Sequence, residues 1–142
     1  LKIIKEIERE IFETKASIIF THHYNDLNLD HRVAYEATIT AARPIPDSKV
    51  SSIISFEIPA ATDWRKPYKF NPNLYIDISS QLTAKINALK AYQYEFRKPP
   101  HPRSKEITDA VAKRWGSLSG FKAAEAFEII FSRMNNLENV SL

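Results

Sequence analysis

The chain contains no cysteine, which excludes disulfides and thiolate metal sites and is compatible with a reducing compartment. It has no apolar run approaching the roughly 20 residues that a membrane-crossing helix needs. No charged-then-apolar leader with a small-residue cleavage site is visible, so no secretion signal is expected, and the expected location is cytoplasmic. A strong surplus of one charge is also lacking: 20 basic residues face 17 acidic ones, for a net +3. The densest basic cluster, Arg97, Lys98 and Arg103, lies among prolines, whereas nucleic-acid domains concentrate positive charge on one face. No nucleic-acid partner is therefore expected. There is no internal repeat, low-complexity tract or domain linker. What remains is an ordinary globular composition, 44% hydrophobic and 26% charged over 142 residues, with the size of one domain and enough chain for a real core.

Periodicity then sets out the elements. Ile3, Ile4, Ile7 and Ile11 recur at helical spacing, which predicts an amphipathic helix over 2–14. Ala16 to Thr21 is apolar without alternation, as in a buried parallel strand. Residues 22–29 are polar and irregular. Asp30 to Ala42 is helical again, with Val33, Ala34, Ala37 and Ala41 on one stripe, closed by Pro44 and Pro46. Val50 to Ile58 is rich in β-branched residues and predicts a second strand. A loop over 59–73 leads to a short third strand at Leu74–Ile78. Ser79 or Ser80 is placed to cap a long helix carrying Leu82, Ile86, Leu89, Tyr92 and Phe96. The proline-rich stretch 98–103 predicts a stiff connector. Ser104 follows as the cap of a helix reaching about Trp115. Phe121 to Phe131 fits a helix or a strand equally well.

An α/β fold normally opens with a central strand. This chain opens with a helix feeding a parallel-type strand, and its first residue is Leu. The expectation is the later part of a single α/β domain spanning 1–142, incomplete on its N-terminal side, with an exposed apolar sheet edge.

In open α/β sheets ligands bind beyond the carboxyl ends of strands, beside the helix N-termini that follow. Residues 21–32 occupy that position and hold three of the four histidines, together with Asp26, Asn28 and Asp30. His31 falls in the first turn of its helix, where the dipole disfavours imidazolium and leaves the neutral ring that a metal needs. Asn28 shares its face if the turn has begun. Asp30 can accept hydrogen bonds from the turn or orient a neighbouring ring. The plainer alternative is a helix capped by Asn28 or Asp30, with His31 simply solvated.

Asp26-Leu27-Asn28-x-Asp30-His31-Arg32 resembles the second motif of the LmbE/PIG-L de-N-acetylases, often written His-Pro-Asp-His. The similarity continues through Ala41-Ala42-Arg43-Pro44, Ser55-Phe56-Glu57, Phe70-x-Pro72-Asn73, Tyr75-x-Asp77-Ile78, Pro100-His101-Pro102-Arg103-Ser104 and Ala124-Glu125-Ala126-Phe127. An ordered series of this kind is more specific than any one motif. The resemblance implies a Rossmann-like fold and a divalent metal, usually Zn2+, hydrolysing the N-acetyl group of an amino-sugar substrate. It makes His31 the third metal ligand and places Asp30 and Asn28 at the reacting centre. His23, Asp26, His101 and Arg103 are the candidate substrate contacts. The family's Ala-His-Pro-Asp-Asp-Glu motif, which supplies two ligands and the general base, does not occur in these 142 residues. Asn28 also stands where many members have histidine, and an amide donates a hydrogen bond but carries no titratable proton.

Two other readings stay open at this stage. One is a non-catalytic domain that keeps the fold and binds a sugar or a partner. The other is a self-contained metal protein using His22 or His23 with Asp26 and His31. An incomplete domain is further expected to associate, with itself or with the missing half.

Overall fold

The structure is a computed structural model and describes residues 2–134. Three helices and two strands form where their periodicity predicts: α1 (Lys2–Thr14), β1 (Ile18–His22), α2 (Leu29–Ala41), β2 (Ser52–Phe56) and, after β3 (Leu74–Asp77) and α3 (Leu82–Lys90), α4 (Lys105–Ser119). The ambiguous segment is strand β4 (Ala124–Ser132). Its position decides its conformation, because it is hydrogen-bonded on both sides, to β2 and to β3.

The four strands form one sheet in the order β1-β2-β4-β3. Only β1 and β2 run parallel; β4 is antiparallel to both its neighbours. The sheet is therefore mixed, and the parallel pairing expected of the first strand is the one β1 makes with β2. The reason lies in the connections. A helix crosses from β1 to β2 and keeps them parallel, while β4 returns between β2 and β3 after α4.

Strand alternation divides the sheet into two faces. One face carries Ile19, Ile53 and Phe131, which pack with Ile11 of α1, Ile39 of α2, Ala42 and Val50. Further along the same face Ala124 and Ala126 receive Trp115 of α4, with Phe70 and Tyr75 around it. Burying side chains such as Val50 and Ile53 contributes roughly 1.5–3 kcal/mol each. On the opposite face Phe20 meets Phe127 edge-on at 5.5 Å, yet Ile18 and Phe20 remain 53% and 48% exposed.

Two expectations about helices are corrected. Helix α3 ends at Lys90 rather than running through Phe96, and its N-cap is Gln81 rather than Ser79 or Ser80. Tyr92, beyond its end, is 67% exposed, while Phe96 is only partly buried, so the far end of the stripe does not continue as one packed helix face. The Ser79 hydroxyl is engaged with Asp77 instead. In α2 the buried residues are Ala37 and Thr38, and Val33 of the expected stripe faces solvent. Helix α4 begins as expected, with the Ser104 hydroxyl accepting from the Ile107 N–H. It runs past Trp115 and ends at left-handed Gly120. Just before that end, a Cβ on Gly116 would lie 2.7 Å from the Ala123 backbone, so no larger residue fits where the chain turns back into β4.

Candidate functional site

The carboxyl ends of β1 and β2 lie side by side, with His22 paired to Phe56. The chain then drops below the surface. His23 is fully buried, its Nδ1 accepting from the Asn25 N–H at 3.1 Å. That bond places the proton of the neutral ring on Nε2, which faces Glu128 Oε2 of β4 at 3.2 Å. Burial pushes the imidazole below its ordinary pKa, and the Glu128 carboxylate opposes that. Glu128 also takes the Asn71 N–H, so one carboxylate binds the β1 loop to the loop before β3.

Asp26 is also fully buried. Its Oδ1 accepts from the Asn28 N–H at 2.8 Å, closing a tight turn at the start of α2, and its Oδ2 accepts from the Thr62 hydroxyl at 2.9 Å. The same Oδ1 lies 3.2 Å from His31 Nδ1. The contact lies within ion-pair distance but outside hydrogen-bond geometry, and the carboxylate's charge there favours an N–H on Nδ1 and the lone pair on Nε2. The His31 side chain is 19% exposed, and its ring stacks on His22 at 4.1 Å. The His22 pKa is lowered, first by burial and then by His31. Arg32 completes the arrangement by donating to the Asp26 and Leu27 carbonyls, both at 2.7 Å.

Asn28 occupies the N-cap position, but its side chain makes no cap hydrogen bond, because Asp26 already closes the turn. Its amide is left available beside His31. Asp30 lies in the first turn of α2 and is exposed.

The sequence candidates thus divide into groups. His31, Asn28 and Asp30 cluster at the head of α2. His23 and Asp26, expected at the substrate, are corrected to buried supports, since neither side chain reaches a surface that a substrate could touch. His101 and Arg103 sit in the connector after α3, each with contacts within the chain. His101 Nδ1 accepts from the Arg103 N–H at 3.1 Å, and its ring meets Trp64 edge-on. The Arg103 guanidinium donates to the Pro59 carbonyl at 3.0 Å and pairs with Glu95. Both hold the connector in place while remaining partly exposed. Sequence reasoning missed Thr62 and Glu128, which lie far along the chain from the loop they hold. Arg32 was visible in its motif, but no role was assigned to it.

As a test of metal binding, His31 fits the part of one imidazole ligand, with Nδ1 backed by a carboxylate and Nε2 directed away from it. Among the described residues no group of three His, Asp or Glu side chains could hold a metal. The local set of His22 or His23, Asp26 and His31 does not assemble, because Asp26 faces the wrong nitrogen and His23 faces Glu128.

A cavity of about 310 Å³ opens between α3, α4 and residues 57–63. None of His22, His23, Asp26, Asn28, Asp30 or His31 lines it; Phe56, whose ring is 5.1 Å from His22, is the wall between the two regions. Glu57 at this cavity accepts from Trp115 Nε1 at 2.8 Å and from the Tyr68 hydroxyl at 3.1 Å. Burial pushes the Glu57 carboxyl above its ordinary range, against those two hydrogen bonds.

No family model matches the chain. Solved structures do share its fold. A conserved protein from Thermus thermophilus superposes with a TM-score of 0.71 at 15% identity, covering 99% of this chain and 63% of that one. The 4-carboxy-2-hydroxymuconate hydratase of Pseudomonas putida matches with a TM-score of 0.69 at 17% identity, over 95% of this chain and 60% of that one. The N,N'-diacetylchitobiose deacetylase of Pyrococcus horikoshii matches with a TM-score of 0.67 at 16% identity, over 91% of this chain and 51% of that one. The chain therefore has a fold found in a deacetylase and in a hydratase, and spans between half and two-thirds of their length. No helix among the described residues is long and apolar enough to cross a membrane.

Proposed function

We propose that this chain is part of a metal-dependent hydrolase that removes an N-acetyl group from an amino-sugar substrate, and that it contributes the third metal ligand. The observation that carries this reading is the Asp26–His31 pair at the carboxyl end of β1, with Nδ1 turned to a buried carboxylate. The motif resemblance and the shared deacetylase fold support it. A fold hosts many reactions, and here the hydratase is a case in point, so the weight rests on the side chains.

The described residues do not complete a metal site, and the roles below are those of this chain alone. A bound divalent metal would lower the pKa of a coordinated water. His31 would hold such an ion through Nε2, its ring fixed by Asp26 and by stacking on His22. The Asn28 amide, free of the helix cap, is available to donate a hydrogen bond to a carbonyl oxygen as it gains charge. Asp30, exposed in the same turn, is placed to accept a hydrogen bond from substrate or to orient a neighbouring group. His22, stacked on His31 at 4.1 Å, is the neighbouring imidazole.

The test is acetate release from N-acetylated amino sugars by the complete protein supplied with Zn2+, alongside a water-addition assay on 4-carboxy-2-hydroxymuconate. Acetate release that needs zinc supports the proposal. Hydration of the muconate, or sugar binding without acetate under full metal occupancy, overturns it in favour of a hydratase or a binding domain respectively.

A further inference from the structure

The geometry points to Thr62 as a positioning residue that sets the tautomer of His31 from 31 positions further along the chain. Thr62 is 1% exposed. Its Oγ1 accepts from the Ile58 N–H at 2.8 Å and donates to Asp26 Oδ2 at 2.9 Å. A hydroxyl has one proton. With a backbone N–H already occupying an oxygen lone pair, that proton is directed to the carboxylate.

The consequence passes through Asp26. Its Oδ2 is held by Thr62 and its Oδ1 by the Asn28 N–H, so the carboxylate plane is fixed at both ends. Fixed in this way, Oδ1 stands 3.2 Å from His31 Nδ1, outside hydrogen-bond geometry but close enough that its charge favours an N–H over a lone pair on that atom. The neutral ring is thereby kept with its proton on Nδ1 and its lone pair on Nε2. Without Thr62 the buried Oδ2 has no donor, and an unpartnered buried charge rotates, takes up a proton or draws in water. Each of these outcomes weakens the bias on His31. The loop itself stays anchored, because the Leu27 N–H donates to the Ala61 carbonyl at 3.2 Å and Arg32 holds the Asp26 and Leu27 carbonyls. Thr62 is thus separable from the loop that it serves.

The importance of the tautomer for catalysis rests on the hydrolase reading above; the tautomer itself does not. Nitrogen-15 NMR of the ring nitrogens, on the metal-free chain at a pH where imidazole is neutral, reads it directly. Wild type and Thr62→Ser, which keeps the hydroxyl, should both show His31 with its proton on Nδ1. Thr62→Val, nearly isosteric but without the donor, should show a mixture of the two tautomers while His101 is unchanged. If Thr62→Val fails to fold, Thr62→Ala serves instead, since it also removes the donor to Asp26 Oδ2, and a mixture is expected there too. A His31 ring that keeps its proton wholly on Nδ1 in the folded Thr62→Val or Thr62→Ala protein overturns the proposal. That result leaves the acetate assay untouched, and a failed acetate assay leaves the tautomer result untouched.

Discussion

The loop after β1 and the connector after α3 each contain a histidine that closes its own turn, yet only the first also presents another one. His23 and His101 use Nδ1 in the same way, each accepting the N–H of the residue two positions on. Both therefore carry the neutral proton on Nε2 and act as donors. His31 meets a carboxylate at Nδ1 and carries its lone pair on the other nitrogen. One residue type thus plays opposite parts, decided by whether an N–H or a carboxylate faces a single ring atom. The comparison explains why a count of histidines is a poor guide to a metal site, and why the partner at Nδ1 is a better one.

The largest effect that tests this contrast is at His31. His31→Ala in the complete protein should reduce bound zinc to trace levels and lower turnover by about 100-fold or more, the scale for losing a ligand or its support. Metal analysis and acetate release on the same sample check it, and full occupancy with normal turnover would remove His31 from the site. Asp26→Ala comes next. It strips Thr62, the Asn28 N–H and His31 of a shared buried partner, and should lower stability by about 2–4 kcal/mol in chemical denaturation. A near-neutral result would mean that the buried carboxylate holds nothing.

These two predictions rest on a site that the sequence displayed only in part. The location of the site was legible: a polar loop after an unalternated apolar strand has few other places to go in an α/β sheet, and His31 fell in the helix turn that its spacing predicted. The supports were not legible. Thr62 and Glu128 reach the loop from 36 and 105 residues beyond Asp26 and His23, and nothing in local composition marks such a contact. For the same reason Asp26 and His23 read as surface residues, since polarity alone cannot tell a solvated carboxylate from one already hydrogen-bonded within the chain at both oxygens. In the fold, α1, β1 and α2 followed from periodicity. The end of α3 did not, because a helical stripe states what a helix would bury and not whether a partner exists to bury it.

A third prediction concerns the carboxylate outside the histidine loops. Burial raises the Glu57 pKa in the folded state above its reference of 4.5, so the folded protein holds that proton more tightly than the unfolded chain. Stability from this group is fully present below the unfolded value and declines as pH rises through the folded one. Glu57→Gln removes the decline, so thermal melts of variant and wild type should diverge in favour of the variant between about pH 4 and pH 7. A constant difference across that range would contradict the burial argument. The smallest effect is expected in the connector. His101→Ala should cost about 1 kcal/mol through the lost turn hydrogen bond and leave acetate release unchanged, with His101→Asn closer to wild type because a short amide can close the same turn. A large loss of activity in His101→Ala would erase the distinction between the two regions.

The sheet order has a consequence for how the protein is made. Strand β4, made after β1, β2 and β3, is the one that lies between β2 and β3, so the nascent chain holds two strands whose common neighbour does not yet exist. Residues 52–56 wait for residues 127–132, and such long-range pairing makes folding slow and exposes apolar strands meanwhile. Glu128, which anchors His23, travels on that final strand. The histidine loop therefore takes its final shape only after residue 128 has been made, more than a hundred residues after the strand that leads into it.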